Sequence, residues 1–258
     1  MDKRILVTGS EGFIGKHLMK AIPEADRLDI VDHNDVRNTL PNIDYTHIFH
    51  LAARKSVPIG EKEGFDFVLT NCWGTLNLAQ TYPNARILNV SSSAAGEPIS
   101  TYGITKKFGE LVGHKHQNYV SVRPYNVFGE GQPVSSGALV PNLIDHMLKG
   151  TKPDIYGDGM IHRDFTYVGD LVEELYRIMF KTREIGVMHA GYGDPIRIND
   201  MIKMIYGEMP EVNTLPRKSF DIGYSICPSP IKQLYGRKEG LERTIAWHKE
   251  RLETKQTV

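Results

Sequence analysis

The sequence has few of the features that mark secreted, membrane-spanning or nucleic-acid-binding chains. Its 258 residues include two cysteines, Cys72 and Cys227, which are too few for a disulfide framework and favour a reducing, cytoplasmic location. Lys and Arg number 31, as do Asp and Glu, so no net charge points to a polyanionic partner. No secretory segment is evident, and no apolar run is long enough to span a bilayer. We expect a globular, enzyme-sized chain without a membrane partner.

Two further kinds of site are also disfavoured. His47, His50, His114 and His116 do not combine with carboxylates at ligand spacing, so we predict no metal site. The Tyr and Trp residues are scattered rather than interleaved with a basic face, which argues against nucleic acid.

Glycines punctuate the start of the chain. Lys3–Thr8 is an apolar, β-branched run typical of a buried parallel strand. Gly9 permits a tight turn, Gly12 lets the backbone approach a pyrophosphate, and Gly15 allows close packing of a helix predicted over 13–21. The amides at the start of that helix would face the phosphates. An ordinary glycine-rich turn is the alternative, but the position between a first strand and a helix favours a dinucleotide site.

Strands and helices alternate through the first half of the chain. Further strands are predicted at 46–52, 85–90 and 119–122, and helices at 65–82 and 101–116. This alternation predicts an α/β fold with a Rossmann-type, doubly wound parallel sheet, and a ligand crevice at the carboxyl ends of its strands. From residue 124 Gly and Pro become frequent. We therefore expect a cofactor-binding domain over 1–123, with some later segments returning to the sheet, and a small substrate lobe over 124–258.

A serine, a tyrosine and a lysine form the candidate catalytic set. Tyr102 and Lys106, four residues apart, would share one helix face, just after a strand that ends at Ser91, Ser92 and Ser93. A lysine ammonium and an oxidised nicotinamide would favour the tyrosine phenolate, and Ser93 would hydrogen-bond a substrate hydroxyl or ketone. A surface Tyr–Lys pair is the alternative. Together with the glycine turn, the set predicts hydride chemistry at a carbinol carbon.

Several longer motifs resemble those of the extended short-chain dehydrogenase/reductases, of the NAD-dependent epimerase/dehydratase type. They are T-G-S-E-G-F-I-G (8–15), H-L-A-A (50–53), N-C-W-G-T-L-N-L (71–78), R-P-Y-N-V-F-G (123–129) and I-Y-G-D-G-M-I-H-R-D-F-T-Y-V-G-D-L (155–171). The resemblance covers nearly the whole chain. It implies NAD as cofactor, a UDP-linked sugar as substrate, and a homodimer formed through a four-helix interface.

The motifs and the resemblance together give a set of candidate site residues. The catalytic residues are Ser93, Tyr102 and Lys106. The residues expected at the cofactor are Gly9, Glu11, Gly12, Phe13, Ile14, Gly15, Asp29, Ile30, Leu51, Ala52, Ala53, Asn71, Ser91, Tyr102, Lys106 and Tyr125. The residues expected at the substrate are Ser93, Asn126, Arg163 and Asp221, with Arg163 on the diphosphate because a guanidinium fork suits phosphate oxygens.

Details of the motifs narrow the implied reaction. Family dehydratases carry Thr-Asp-Glu at the strand end, whereas this chain has Ser91-Ser92-Ser93-Ala94, as UDP-glucose 4-epimerases have. The resemblance therefore implies a 4-epimerase, in which Tyr102 takes the sugar hydroxyl proton, hydride passes to NAD, and both return to the opposite face of a 4-keto sugar. An NAD(P)H-dependent reductase of a 4-keto nucleotide sugar is the alternative, and a catalytically weak nucleotide-binding regulator is a third possibility.

The chain also departs from the family pattern. Only residues 22–27 separate the first helix from Leu28-Asp29-Ile30-Val31-Asp32. Asp29 lies 20 residues beyond Gly9, at the offset of a ribose-binding acid, but the spacing before H-L-A-A resembles the family's third strand. We favour the third strand, which means that one strand-helix unit is lost and that NADP is not excluded. The connection from Ser93 to Tyr102 is short, and Asp221 only loosely matches a uridine-binding position.

Overall fold

The computed structural model describes most of the chain. The described residues are 3–32, 34–38, 40–217 and 224–256. Asp221, which we expect at the substrate, lies outside the described residues.

The chain divides into two compact units. Unit 1 comprises residues 1–124 and 172–189, and unit 2 comprises residues 125–171 and 190–258. The helix over 168–181 begins in unit 2 and continues into unit 1.

A six-stranded sheet forms the centre of unit 1. Its strands are β1 (Ile5–Thr8), β2 (Asp26–Leu28), β3 (His47–His50), β4 (Arg86–Val90), β5 (Tyr119–Pro124) and β10 (Gly186–Ala190). The order across the sheet is β10-β5-β4-β3-β1-β2, and every pairing from β2 to β5 is parallel. Leu6, Ile48 and Ile87 are fully buried, as expected for strands covered on both faces. The Rossmann-type α/β prediction is confirmed.

The position of β2 corrects our preferred alignment of the third strand. Asp26–Leu28 pairs directly with β1, Leu6 lying opposite Asp26 and Thr8 opposite Leu28. The strand therefore takes the second position of the fold, and Asp29 follows at its carboxyl end. Between Asp29 and β3 the described residues form no further strand, only a 3₁₀ turn over Ile30–Asp32, so the lost unit is the one after β2.

The helices of unit 1 follow the predicted pattern with one interruption. They are α1 (Phe13–Ala21), α2 (Val57–Gly60), α3 (Gly64–Phe67), α4 (Gly74–Thr81) and α5 (Thr101–Val112). The helix predicted over 65–82 contains a π-helical segment, Val68–Trp73, between α3 and α4. The helix predicted over 101–116 ends at Val112 and is followed by a 3₁₀ turn, Gly113–Lys115. Ser100 caps α5, because its hydroxyl accepts a 3.1 Å hydrogen bond from the Gly103 amide.

Unit 2 is built from short strands and longer helices. The strands are β6 (Val127–Phe128), β7 (Asp154–Tyr156), β8 (His162–Arg163), β9 (Thr166–Tyr167), β11 (Ile196–Arg197), β12 (Asn213–Leu215) and β13 (Tyr224–Ser225). The helices are α6 (Leu139–Lys149), α7 (Val168–Lys181), α8 (Ile198–Tyr206) and α9 (Gly236–Gln256). The strands pair as β11-β8-β13, β12-β7 and β6-β9. No helix in the described ranges has the length and apolar character needed to cross a membrane.

Candidate functional site

The glycine turn packs against the end of β3. Gly9 has φ +71°, and a Cβ there would lie 2.7 Å from the Ala52 amide nitrogen. A Cβ on Gly15 would lie 2.1 Å from the Gly9 carbonyl oxygen, so only glycine allows α1 to start here. Gly12 is the exposed N-cap of α1, and none of the described side chains caps it. This backbone cradle and its open helix start fit a dinucleotide pyrophosphate.

Asp29 joins the glycine turn to the end of β2. Its Oδ2 accepts a 2.9 Å hydrogen bond from the Glu11 amide, and its Oδ1 accepts one of 3.3 Å from the Val31 amide. The next side chain, Ile30, is 63% exposed. The carboxylate therefore lies where the fold expects a ribose-binding acid, about 20 residues past the first glycine. Contact of Asp29 and Ile30 with adenosine stays a prediction.

A buried histidine connects the sheet to the helices. His50 Nδ1 lies 2.8 Å from Thr8 Oγ1, and its Nε2 lies 2.9 Å from Thr75 Oγ1. Because Thr75 already donates its proton to the Asn71 carbonyl, Nε2 must donate, and Nδ1 accepts from Thr8. Burial, together with the charge of Lys106, lowers the pKa of His50 to about 3. His50 is thus a neutral bridge between Thr8 and Thr75.

Asn71 lies in the π-helical segment and is buried. Its Oδ1 accepts from the Arg54 amide at 2.8 Å, and its Nδ2 donates to the Arg54 carbonyl and to Thr105 Oγ1, each at 3.0 Å. Asn71 therefore holds the loop that follows Leu51, Ala52 and Ala53 against α5. The contact of Asn71 with the cofactor stays a prediction. Its amide group bonds Arg54 and Thr105.

Tyr102 and Lys106 lie on one face of α5, as predicted. Lys106 Nζ donates a 2.7 Å hydrogen bond to the Val90 carbonyl, which anchors the ammonium at the carboxyl end of β4. Burial lowers the pKa of Lys106 to about 8, and Glu110 opposes that change. Burial raises the pKa of Tyr102, and a hydrogen bond with the Ser92 side chain lowers it in part. The pKa of Tyr102 is therefore raised on balance, with burial outweighing the Ser92 hydrogen bond.

The three serines at the end of β4 have different environments. Ser91 is buried and donates its hydroxyl to Glu110 Oε1 at 2.8 Å. Ser92 hydrogen-bonds Tyr102 and accepts a 3.2 Å bond from the Ala94 amide. Ser93 starts a 3₁₀ turn over Ser93–Ala95 and is partly exposed. Sequence reasoning selected Ser93 and missed Ser92, because adjacent serines in a strand end cannot be ranked without knowing where their side chains point.

A buried ion pair behind this turn was also missed. Arg123 Nε donates to Glu110 Oε1 at 2.6 Å and its second guanidinium nitrogen donates to Oε2 at 2.7 Å. The same nitrogen reaches the Ala95 carbonyl at 3.3 Å. Burial raises the pKa of Glu110, but the hydrogen bonds from Arg123 and Ser91 lower it by more. The net pKa is below its ordinary value, so the carboxylate stays ionised. The spacing of Glu110 from Lys106, four residues on one helix, is the sequence signal that could have identified it.

Unit 2 holds three of the remaining predicted residues. Tyr125 is buried, and its amide donates to the Ala190 carbonyl at 3.1 Å. Asn126 has φ +29°, and its Nδ2 donates to the Asp164 carbonyl at 3.0 Å. Arg163 donates to the His162 carbonyl at 2.8 Å.

Asp164 and Asp170, which follow Arg163 in the same motif, accept hydrogen bonds from backbone amides. Asp164 is fully buried and accepts from the amides of Tyr192 (3.1 Å), Gly193 (2.8 Å) and Cys227 (3.1 Å). Asp170 accepts from the amides of residues 234, 235 and 236 at 2.9–3.0 Å, at the start of α9. The Tyr192 hydroxyl also donates to Asp170, and burial together with this bond raises the pKa of that tyrosine. Both acids stabilise loops of unit 2.

In the part of the chain that the structure describes, no group of three or more His, Cys, Asp or Glu side chains could hold a metal ion.

Comparisons with known proteins agree with this geometry. Residues 5–190 match the model of the NAD dependent epimerase/dehydratase family. A UDP-glucuronate 4-epimerase of Thermodesulfobacterium geofontis is 26% identical over 88% of this chain and 80% of its own. Among solved structures, the UDP-N-acetylglucosamine 4-epimerase from Methanobrevibacter ruminantium has a TM-score of 0.85 at 25% identity, covering 97% of this chain and 99% of that one. The UDP-glucose 4-epimerase from Thermotoga maritima with UDP-glucose has a TM-score of 0.84 at 26% identity, covering 96% and 99%.

Proposed function

The chain belongs to the NAD-dependent epimerase/dehydratase family, and we propose that it is a 4-epimerase of a nucleotide sugar, with a UDP-hexose as substrate. The observation that carries the proposal is the arrangement of Ser92, Tyr102 and Lys106 around the carboxyl end of β4. This is a proton-transfer set beside a dinucleotide cradle, and it suits oxidation and re-reduction of one carbinol carbon.

The residues present fit NAD. Gly9 and Gly15 let the turn pack closely on the chain's own backbone, which leaves the exposed Gly12 at the helix start for the pyrophosphate, and in this proposal Asp29 binds the ribose. When bound, NAD would supply a nicotinamide ring as hydride acceptor and donor for the sugar carbon.

Tyr102 moves the proton in this proposal. Its pKa is raised by burial, so the phenol needs help to act as a base at neutral pH, and the Ser92 hydrogen bond opposes the rise. Lys106 lies one helical turn away and is held by the Val90 carbonyl. With a pKa of about 8 the lysine keeps most of its charge at neutral pH, and that charge favours the phenolate. In this proposal Ser93, at the partly exposed start of the 3₁₀ turn, hydrogen-bonds the substrate hydroxyl.

Elimination is a less suitable reaction for this site. The turn after β4, residues 91–95, contains no carboxylate. Glu110, the carboxylate that contacts Ser91, is held as an ion pair by Arg123 and stays deprotonated. Neither the turn nor Glu110 therefore supplies a carboxylic acid that could protonate a leaving hydroxyl group.

Proton NMR of the anomeric region tests the proposal. The purified chain would be mixed with a panel of UDP-hexoses and UDP-N-acetylhexosamines and a catalytic amount of NAD, with Tyr102→Phe as control. We expect one sugar to give its 4-epimer with the wild type alone. Absence of any new sugar across the panel, or equal conversion by Tyr102→Phe, would overturn the proposal.

One observation favours a second candidate, an NAD(P)H-dependent reductase of a 4-keto nucleotide sugar. The raised pKa of Tyr102 keeps its phenol protonated, and a protonated phenol is the donor that a ketone needs during reduction. The two functions differ in stoichiometry. A reductase consumes one reduced cofactor for each sugar, whereas an epimerase regenerates its cofactor and leaves the nicotinamide absorbance unchanged.

A homodimer is part of the proposal, because unit 1 has an exposed apolar stripe on two adjacent helical segments. Ile104, Phe108 and Leu111 lie at i, i+4 and i+7 on α5, and Phe65 and Val68 lie on the preceding helical stretch. Phe65 is 76% exposed and Ile104 is 57% exposed. We expect Ile104→Lys to produce monomers in light scattering, and Ile185→Lys, at another exposed isoleucine, to leave the mass unchanged. A monomeric wild type would refute the dimer.

A further inference from the structure

Four charged side chains surround the junction of the glycine turn with β2. Arg27 donates to Glu11 Oε1 at 2.8 Å, and Lys16 Nζ lies 3.5 Å from Glu11 Oε2. The Glu11 amide in turn donates to Asp29 at 2.9 Å. Two cations and two carboxylates therefore lie within one small cluster, which we name the ribose-end cluster: Glu11, Lys16, Arg27 and Asp29.

Residue types alone leave the cofactor preference of this cluster ambiguous. In the Rossmann fold an acid about 20 residues past the first glycine binds the ribose 2′-hydroxyl of NAD, whereas a nearby arginine accommodates the 2′-phosphate of NADP. This chain has both features, Asp29 at the acid position and Arg27 two residues before it. The preference therefore depends on whether Arg27 is available for a phosphate.

The structure shows that Glu11 holds Arg27. The carboxylate is only 28% exposed, and the Arg27 and Lys16 side chains are 55% and 60% exposed, so the cations converge on a more sheltered acid. Glu11 also belongs to the turn itself, directly before Gly12, and its own amide orients Asp29. A 2′-phosphate, which carries between one and two negative charges near neutral pH, would meet two carboxylates whose neighbouring cations are already neutralised.

We propose that Glu11 is a specificity-determining residue that excludes NADP, by keeping Arg27 and Lys16 in ion pairs and by adding its charge to that of Asp29. Arg27 is then a latent ligand for a 2′-phosphate. The proposal rests on the NAD dependence of the family and on these contacts. It is independent of which sugar the chain binds and of which reaction it performs.

Binding titrations with NAD⁺ and NADP⁺ test the proposal without any turnover. They use the purified full chain, freed of co-purified nucleotide, and isothermal calorimetry as readout. Glu11→Gln should tighten NADP⁺ binding by about tenfold or more while changing NAD⁺ binding by less than about threefold. The Glu11 amide that bonds Asp29 belongs to the backbone and is kept in this variant.

Two further variants identify the cause of the change. Glu11→Gln combined with Arg27→Gln should lose most of the gain in NADP⁺ affinity, because the freed guanidinium is gone and only Lys16 of the two cations is left. Glu239→Gln, which removes an exposed ion pair with Arg243 in unit 2, should alter neither affinity. The proposal is overturned if Glu11→Gln binds NADP⁺ no better than the wild type, or if the double variant keeps the gain.

A variant that retains Glu11 covers the case in which Glu11→Gln does not fold. Arg27→Gln alone leaves Glu11 with Lys16 but without its closer cation, and should weaken NADP⁺ binding further, with NAD⁺ binding little changed. Unchanged NADP⁺ affinity in this variant would also overturn the proposal. If the NMR test detects no new sugar, only the proposed epimerase activity is refuted, because these titrations require no sugar.

Discussion

The buried polar residues of the two units differ in their hydrogen-bond partners. In unit 1, the Tyr102–Lys106 pair has a raised tyrosine pKa and a lysine pKa lowered to about 8, and one hydrogen bond connects it to Ser92. In unit 2, Asp164 and Asp170 follow Arg163 in an equally specific sequence, yet each accepts three backbone amides. In our proposal the first pair takes part in proton transfer, whereas the second pair holds loops through backbone hydrogen bonds.

The difference shows that a specific sequence motif does not by itself predict a catalytic role for its polar residues. A carboxylate whose lone pairs are filled by amides has lost the freedom to move a proton, whereas a buried phenol with one partner retains it. Burial is common to both sets. The number and the kind of hydrogen-bond partners distinguish the functional group from the structural one.

The largest expected effect is on catalysis in unit 1. Tyr102→Phe should lower turnover about 10³-fold, or about 4 kcal/mol, because it removes the proton-transfer group. Stability should change little, since the phenyl ring keeps its edge contact with Phe67. Turnover and thermal unfolding measured on the same sample check both statements. A variant that loses stability along with activity would break the comparison between the units.

His50 should make stability sensitive to acid. Its folded pKa of about 3 lies below the ordinary 6.5, so the unfolded chain binds more protons between these values. The free energy of unfolding should therefore fall as the pH drops from 6.5 toward 3, by on the order of 4 kcal/mol in total.

Chemical denaturation at a series of pH values measures this loss. His50→Gln should have lower stability at neutral pH but a shallower decline on acidification, because the titrating ring is absent. An equal slope in both proteins would show that other groups control the acid response.

In unit 2 the expected loss is of stability. Asp164→Asn replaces one of two amide-accepting oxygens with an NH₂ group that faces an amide donor, which should cost about 3 kcal/mol. Asp145→Asn is the matched control, because Asp145 forms a surface pair with Lys149 and should change stability by less than about 0.5 kcal/mol. Urea titrations measure both. If the Asp164 variant is as stable as the control, the loop-holding role is refuted.

The smallest effect separates the neighbouring serines. Ser92→Ala removes the hydrogen bond that lowers the Tyr102 pKa, so the pH profile of turnover should shift toward alkaline pH, with a loss of about tenfold near neutrality. Ser93→Ala should lower turnover without moving the profile, because its proposed contact is with the substrate. Identical profiles for the two variants would remove the distinction between them.

Much of unit 1 could be predicted from local pattern. The apolar run that became Ile5–Thr8 and the helix over Phe13–Ala21 match the structure closely, since buried strands and a glycine-bounded helix are encoded by neighbouring residues. The α5 helix is equally local, because Ser100 caps it and Tyr102 and Lys106 then fall on one face.

What failed depended on contacts between distant residues. The β2 strand is three residues long and exposes Asp26 and Arg27 at the sheet edge, so no alternating pattern reveals its partner. The same holds for Ser92 and for Asp164, whose roles depend on where a hydroxyl or carboxylate points within the folded chain. The family resemblance identified the motifs that contain Ser92 and Asp164. It did not identify the hydrogen-bond partners of their side chains.

The π-helical segment Val68–Trp73 has a consequence for the spacing of the helix that contains it. An α-helix turns by about 100° per residue, so one extra residue would rotate everything after it by that angle, and the wide turn absorbs such a residue locally. Before it, Phe65 faces outward, and within it Asn71 faces inward to Arg54 and Thr105. Deleting a single residue here should convert the wide turn into an ordinary α-turn and leave Thr75 and Leu78 facing the way they do now. The segment therefore sets the register in which the outer stripe and the inner amide coexist on one continuous helix.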